Sequence, residues 1–149
     1  MLLMEKEELI MFILSLVSVC LLWLISIIHV YWAFGGQWGT GAVIPSKEGS
    51  LQAVFSPRKG GTLCVALLVL LASIIILVQG GYMTALPASA YSKVGSIVCA
   101  IVFSIRAIGD FKYVGFFKTI KHSPFAKNDT KLYSPLCLFL SFVYIMLLL

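Results

Sequence analysis

Three side chains have the chemistry of a site and interrupt an otherwise apolar sequence: His29, Arg106 and Asp110. An imidazole beside a carboxylate is a general acid–base pair, and an arginine near both can be a third polar contact in one pocket. Arg106 and Asp110 are four residues apart, a spacing that lets an ion pair form along one helix face, although Gly109 between them can end the helix. At about 100° per residue, Ser15, Ser18 and Ser26 fall within about 60° of His29, while Ser92, Gly95, Cys99 and Asp110 fall within about 40° of Arg106. Each stretch therefore has one small, polar face. The economical arrangement brings the two faces together, with Gly95 and Cys99 allowing close backbone approach. Tyr31, Trp32 and Phe103 would then wall a pocket for a lipid-like or aromatic ligand. Each group also has a plainer role: His29 and Arg106 as interfacial anchors, Tyr31 and Trp32 with Phe34 and Trp38 as an aromatic belt, and the serines bonded to their own backbone.

The elements that must carry these residues follow from composition. Of 149 residues, 60% are hydrophobic and only 11% charged, too few charges to cover a water-soluble domain. Lipid must do the covering, which predicts an all-α integral membrane protein with four transmembrane helices in one small bundle. Residues 9–34 carry no formal charge and form the first expected span. Glycines and prolines between 35 and 61 break any regular element. Residues 62–78 are an unbroken apolar run, and 87–105 are apolar with small polar residues mixed in. Residues 106–131 interleave Phe111, Tyr113, Phe116 and Phe117 with lysines, which reads either as an interfacial segment or as a solvated loop. Ser134 and Pro135 look like an N-cap and first-turn proline for a last span over 132–149, which starts near Thr130 or stops short of the far interface.

Four crossings put both termini on one side. Lys6 and Lys93 then lie with the termini, whereas Lys47, Arg58, Lys59, Arg106, Lys112, Lys118, Lys121, Lys127 and Lys131 lie opposite. The positive-inside rule places loops 35–61 and 106–131 in the cytoplasm and the termini outside the cell membrane. The same placement makes the net charge of +5 a membrane flank and not a nucleic-acid surface. Glu5, Lys6, Glu7 and Glu8 precede a run too long for a signal peptide, so the chain is expected to stay uncut. Cys20, Cys64, Cys99 and Cys137 form no Cys-x-x-Cys pair, and no metal or cofactor is expected.

Longer motifs point the same way. The runs His29-Val-Tyr-Trp-Ala-Phe-Gly-Gly-Gln-Trp-Gly39, Ala42-Val-Ile-Pro45, Arg106-Ala-Ile-Gly-Asp-Phe-Lys-Tyr-Val-Gly-Phe-Phe-Lys118 and Phe125-Ala-Lys-Asn-Asp-Thr-Lys-Leu-Tyr-Ser-Pro-Leu-Cys137 resemble the bacterial membrane family known as domain of unknown function 3995. The resemblance implies a small four-span membrane protein and brings no reaction with it. By resemblance its motif positions are His29, Trp32, Gly35, Gly36, Arg106, Gly109, Asp110, Asp129, Tyr133 and Pro135.

Four activities fit these features. One is a binder of a small hydrophobic molecule through His29, Arg106 and Asp110, with Tyr31, Trp32 and Phe103 as walls. Another is an accessory protein that holds a partner or a second copy of itself without any chemical site. A transporter is disfavoured by the lack of a carboxylate at mid-membrane depth. A lipid-modifying enzyme using His29 has no visible nucleophile or metal set, so the balance leans away from catalysis.

Overall fold

The computed structural model describes residues 2–45 and 57–149, and places all regular structure among them in helices. Lys47 and the middle of the first loop lie outside the described residues. The order is α1 (Leu2–Ala33), α2 (Thr40–Val43), α3 (Lys59–Gln79), α4 (Ala90–Ile108), α5 (Pro124–Asn128), a π-helical turn (Asp129–Tyr133) and α6 (Ser134–Met146). Three stretches are long and apolar enough to cross a membrane: Glu5–Ala33, Lys59–Gln79 and Ala90–Ile108.

The helices differ from the expected spans for local reasons. Helix α1 starts seven residues earlier than expected, because Glu and Lys are good helix formers and an acidic first turn suits the helix dipole. Helix α4 is displaced toward the C-terminus of 87–105. Ser89 caps it by accepting the Ser92 N–H at 3.4 Å, Ser92 returns the bond at 2.9 Å, and Gly109 ends it with φ 93°. The last helix departs most. Ser134 is not its N-cap: the backbone is already helical from Pro124, and Tyr133 precedes α6 in helical conformation without a side-chain cap. Pro135 has no N–H to give the carbonyl four residues back, and its ring crowds that carbonyl. The chain widens by one residue there, and the Ser134 N–H bonds Asp129 O, five residues back.

The four longest helices pack in the order α1, α3, α4, α6, with α6 also touching α1. Neighbours run antiparallel, as shown by Ser26 near the end of α1 bonding Ala66 near the start of α3, and Ser104 of α4 meeting Ser141 of α6. Val19, Leu22, Ala72, Ile76, Ala100, Leu140 and Tyr144 make the core. The outward faces are apolar too, with Leu67 66% and Ile105 60% exposed, a surface suited to lipid and not to water.

The two polar faces read from the sequence do not meet. On α1, Ser26 bonds the Ala66 carbonyl at 2.9 Å and Trp23 Nε1 donates to Ser73 of α3 at 2.9 Å. On α4, Ser92 of the expected face donates to Gln79 of α3 at 2.7 Å and Gly95 lies against Ile75 of α3, while Ser104, on the opposite face, lies 2.7 Å from Ser141, which donates to the Ala100 carbonyl at 2.9 Å. Ser18 bonds the Leu14 carbonyl of its own helix and Ser96 has no partner among the described residues, so α1 turns Ser26 toward α3, and the expected face of α4 also meets α3 and not α1. The antiparallel order still gathers Arg58, Lys59, Arg106 and the lysines after it at one end, with Lys6 and Lys93 at the other.

Candidate functional site

The charged end of the molecule is organised by Asp129, whose side chain has no exposed surface. The widened turn that Pro135 forces turns this carboxylate toward α4 and the loop behind it. Its Oδ1 accepts from Arg106 Nη2 at 2.9 Å. Its Oδ2 accepts from the Gly115 N–H at 2.7 Å, Lys118 Nζ at 2.9 Å and the Ser134 hydroxyl at 3.3 Å. Lys118 is equally enclosed, with 1% of its side chain exposed. Its ammonium also donates to Gly115 O at 2.8 Å and Thr130 Oγ1 at 2.6 Å, which accounts for all three of its protons. Of the three charged members, Arg106 is the one open to the outside, 34% exposed. Its Nη1 is shielded from solvent and has no hydrogen-bond partner.

Burial raises the Asp129 carboxyl, but the Lys118 hydrogen bond and then the Arg106 charge more than offset it, so the group is held below the ordinary carboxylate range. The cluster therefore carries two cations against one anion.

The loop from Gly109 to Ser123 is shaped to deliver Gly115 and Lys118. Asp110 Oδ1 accepts the backbone N–H groups of Lys112, Tyr113 and Val114 at 2.9, 2.7 and 2.8 Å. These bonds fold the chain back on itself, and burial of Asp110 is outweighed by them, so its carboxyl too is lowered. Gly109 and Gly115 meet backbone to backbone, both with positive φ, so that a Cβ at either would strike the opposite carbonyl. Phe111 is held at φ 60°, a left-handed conformation rare for an aromatic residue, while its phenyl ring is exposed.

The six residues singled out from the sequence do not share one set of contacts: His29, Tyr31 and Trp32 group at the end of α1, while Phe103, Arg106 and Asp110 each find partners elsewhere. Arg106 pairs with Asp129 and not with Asp110, which is used up as a loop cap. His29 Nδ1 bonds the Ile25 carbonyl of its own helix at 2.8 Å, which makes Nδ1 the protonated nitrogen, and its ring meets Trp32 edge-on. Trp32 Nε1 donates to Trp38 O at 2.9 Å, and the Tyr31 hydroxyl accepts the Trp38 N–H at 3.5 Å, so both close the turn after α1. Phe103 stacks on Tyr144 beside the core. Sequence reasoning reaches Lys118 only as a basic flank, Thr130 and Ser134 only as helix-start positions and Asp129 only as a motif position, and assigns none of them to a site. The available signal was that Asp110 and Asp129 are the sole acids beyond residue 48, set among six cations. Among the described residues, no three His, Cys, Asp or Glu side chains are grouped to hold a metal ion.

An apolar helical protein with one buried ion cluster at its basic end is the class this geometry defines. The sequence pattern of the family described as Protein of unknown function (DUF3995) matches residues 22–144, and the chain belongs to that family. That match covers all four residues of the Arg106, Gly115, Lys118 and Asp129 cluster. No curated protein and no solved structure matches the chain.

Proposed function

We propose that this protein crosses the cell membrane four times as one domain and binds a small lipid-like molecule at its basic end. Glu5–Ala33, Lys59–Gln79 and Ala90–Ile108 supply three crossings, and residues 132–149, which include α6, supply the fourth. The termini lie outside and the loops at 35–61 and 106–131 lie in the cytoplasm, as the clustering of basic residues favours. Arg106 is the polar contact for the ligand, with Phe103 one turn before it and Tyr31 and Trp32 at the same end of α1 as flanking apolar surface. His29 and Asp110 serve as supports, since each already bonds backbone.

The observation that carries this reading is the cluster itself. A buried ion pair contributes little net stability compared with apolar packing, so a lysine and a carboxylate kept under cover beside a partly exposed arginine in a lipid-facing protein point to use. Native mass spectrometry of the protein released from its own membranes tests it. A discrete bound lipid-sized mass is the expected result, and a spectrum of bare protein under conditions that keep it folded contradicts it. Labelling of cysteines introduced singly at Lys121 and Met83 tests the topology: Lys121→Cys should react only from the cytoplasmic side and Met83→Cys only from outside.

A further inference from the structure

We infer that Arg106 holds an oxyanion of the phosphate type on the guanidinium edge that Asp129 leaves free. Charge and hydrogen-bond demand at the cluster carry this assignment, which rests on the ligand-binding reading above and names the chemistry recognised.

Lys118 is satisfied in charge and in all three protons by Asp129, Gly115 and Thr130. Asp129 is satisfied on both oxygens. What is left over in the cluster is one positive charge, and it falls to Arg106, which cannot shed its proton. Its Nη2 is bonded, whereas Nη1 is enclosed and has nothing to donate to. A charged donor without a partner is disfavoured under cover, so the guanidinium, whose side chain is 34% exposed, is expected to turn Nη1 toward an oxygen that arrives from outside. Water would meet the hydrogen bond but not the charge; an anion meets both.

The described residues offer no anion of their own. Asp110 is bound to three backbone N–H groups, and Glu5, Glu7 and Glu8 are at the opposite end of the helices. The approach is electropositive: Lys112, Lys121, Lys127 and Lys131 are exposed on the segments around the cluster, and each basic group near a membrane adds to the attraction for anions. A guanidinium fork suits the paired oxygens of a phosphate ester, where an ammonium offers only a point charge. The oxyanion is either the phosphodiester of an anionic phospholipid or free inorganic phosphate.

The test uses the full chain in neutral detergent, as the parent, as Arg106→Lys, which keeps the charge toward Asp129 but loses the fork, and as Arg106→Gln. Each is titrated with phosphatidylglycerol, with phosphatidylcholine and with inorganic phosphate. Lipid retention is read by native mass spectrometry and phosphate binding by the shift in melting temperature. The expected result is that the parent retains phosphatidylglycerol about fivefold or more over phosphatidylcholine, and that both variants lose the preference while still folding. A melting shift with phosphate in the parent but not in Arg106→Lys, without headgroup preference, supports the inference with free phosphate as the source. Equal retention of both lipids by all three proteins, with no phosphate shift, overturns it while leaving a lipid-binding protein. Retention of no lipid overturns the lipid reading, and the phosphate arm then decides the oxyanion inference alone.

Discussion

Between the helices, polar side chains act one at a time: Ser26 meets the Ala66 carbonyl, Trp23 meets Ser73, and Ser141 meets the Ala100 carbonyl. At the basic end a single carboxylate gathers α4 through Arg106, the loop through Gly115 and Lys118, and α6 through Ser134. The first pattern is distributed, uncharged and local to each helix pair; the second is concentrated and charged. A distributed set of hydroxyls can lose a member at small cost, since measured bonds of this kind in membrane helices contribute about 0.6 kcal/mol each. A hub cannot, because removing its centre leaves the enclosed Lys118 without an anion. The interior therefore holds the helices in register, while the hub fixes the conformation of one end.

The largest predicted effect breaks the hub. Asp129→Ala should destabilise the protein by about 3–5 kcal/mol in equilibrium unfolding from mixed micelles, the range for orphaning a buried charge. The same group sets an acid dependence. Its folded carboxyl lies below the ordinary value, so its contribution is fully present above about pH 4 and is lost as pH falls through the lower folded value. Stability should thus be flat in this respect from about pH 5 to 8 and fall only under stronger acid. A hub effect of less than about 1 kcal/mol would erase the contrast between the two regions.

Next comes the loop that delivers Lys118. Gly109→Ala drives a Cβ into the Val114 carbonyl at a positive φ, and should cost about 2 kcal/mol or more, with faster proteolysis between Gly109 and Ser123 as a second readout. Smaller still, Ser141→Ala removes a hydroxyl shared by Ala100 and Ser104 and should cost about 0.6 kcal/mol in the same unfolding assay. A loss near that of Asp129→Ala would mean the interior is not distributed. At the small end and of opposite sign, Phe111→Asn relieves a left-handed backbone and should raise stability by up to about 1 kcal/mol in detergent.

Sequence reading reached the helices and not the hub, for physical reasons. Apolar run length reports burial in lipid directly, so 62–78 and 87–105 lie close to α3 and α4. The start of α1 was misplaced because charged helix formers such as Glu5 and Lys6 end a hydropathy signal without ending a helix. Helical angles placed the serines on faces correctly but could not say which neighbour each face meets, because that depends on packing order. Arg106 was visible as an odd charge in an apolar helix. Its partner was not, since Asp129 is 23 residues away and is brought in by a π turn that Pro135 induces, a distortion outside the regular period on which face assignment rests. Ser134 followed by Pro135 has the signature of a helix start, and only the upstream helical run reveals it as a bulge within one.

The measurement closest to the central claim is a double-mutant cycle on Lys118→Met and Asp129→Leu, followed by equilibrium unfolding of the full chain in mixed micelles. If one carboxylate holds this end together, Asp129→Leu orphans the enclosed Lys118, Lys118→Met leaves Asp129 with Arg106 as its one cation, and the double change removes the enclosed pair; the two are coupled by about 2–3 kcal/mol, with the double variant more stable than Asp129→Leu alone. Additive losses, within about 0.5 kcal/mol, would contradict the account.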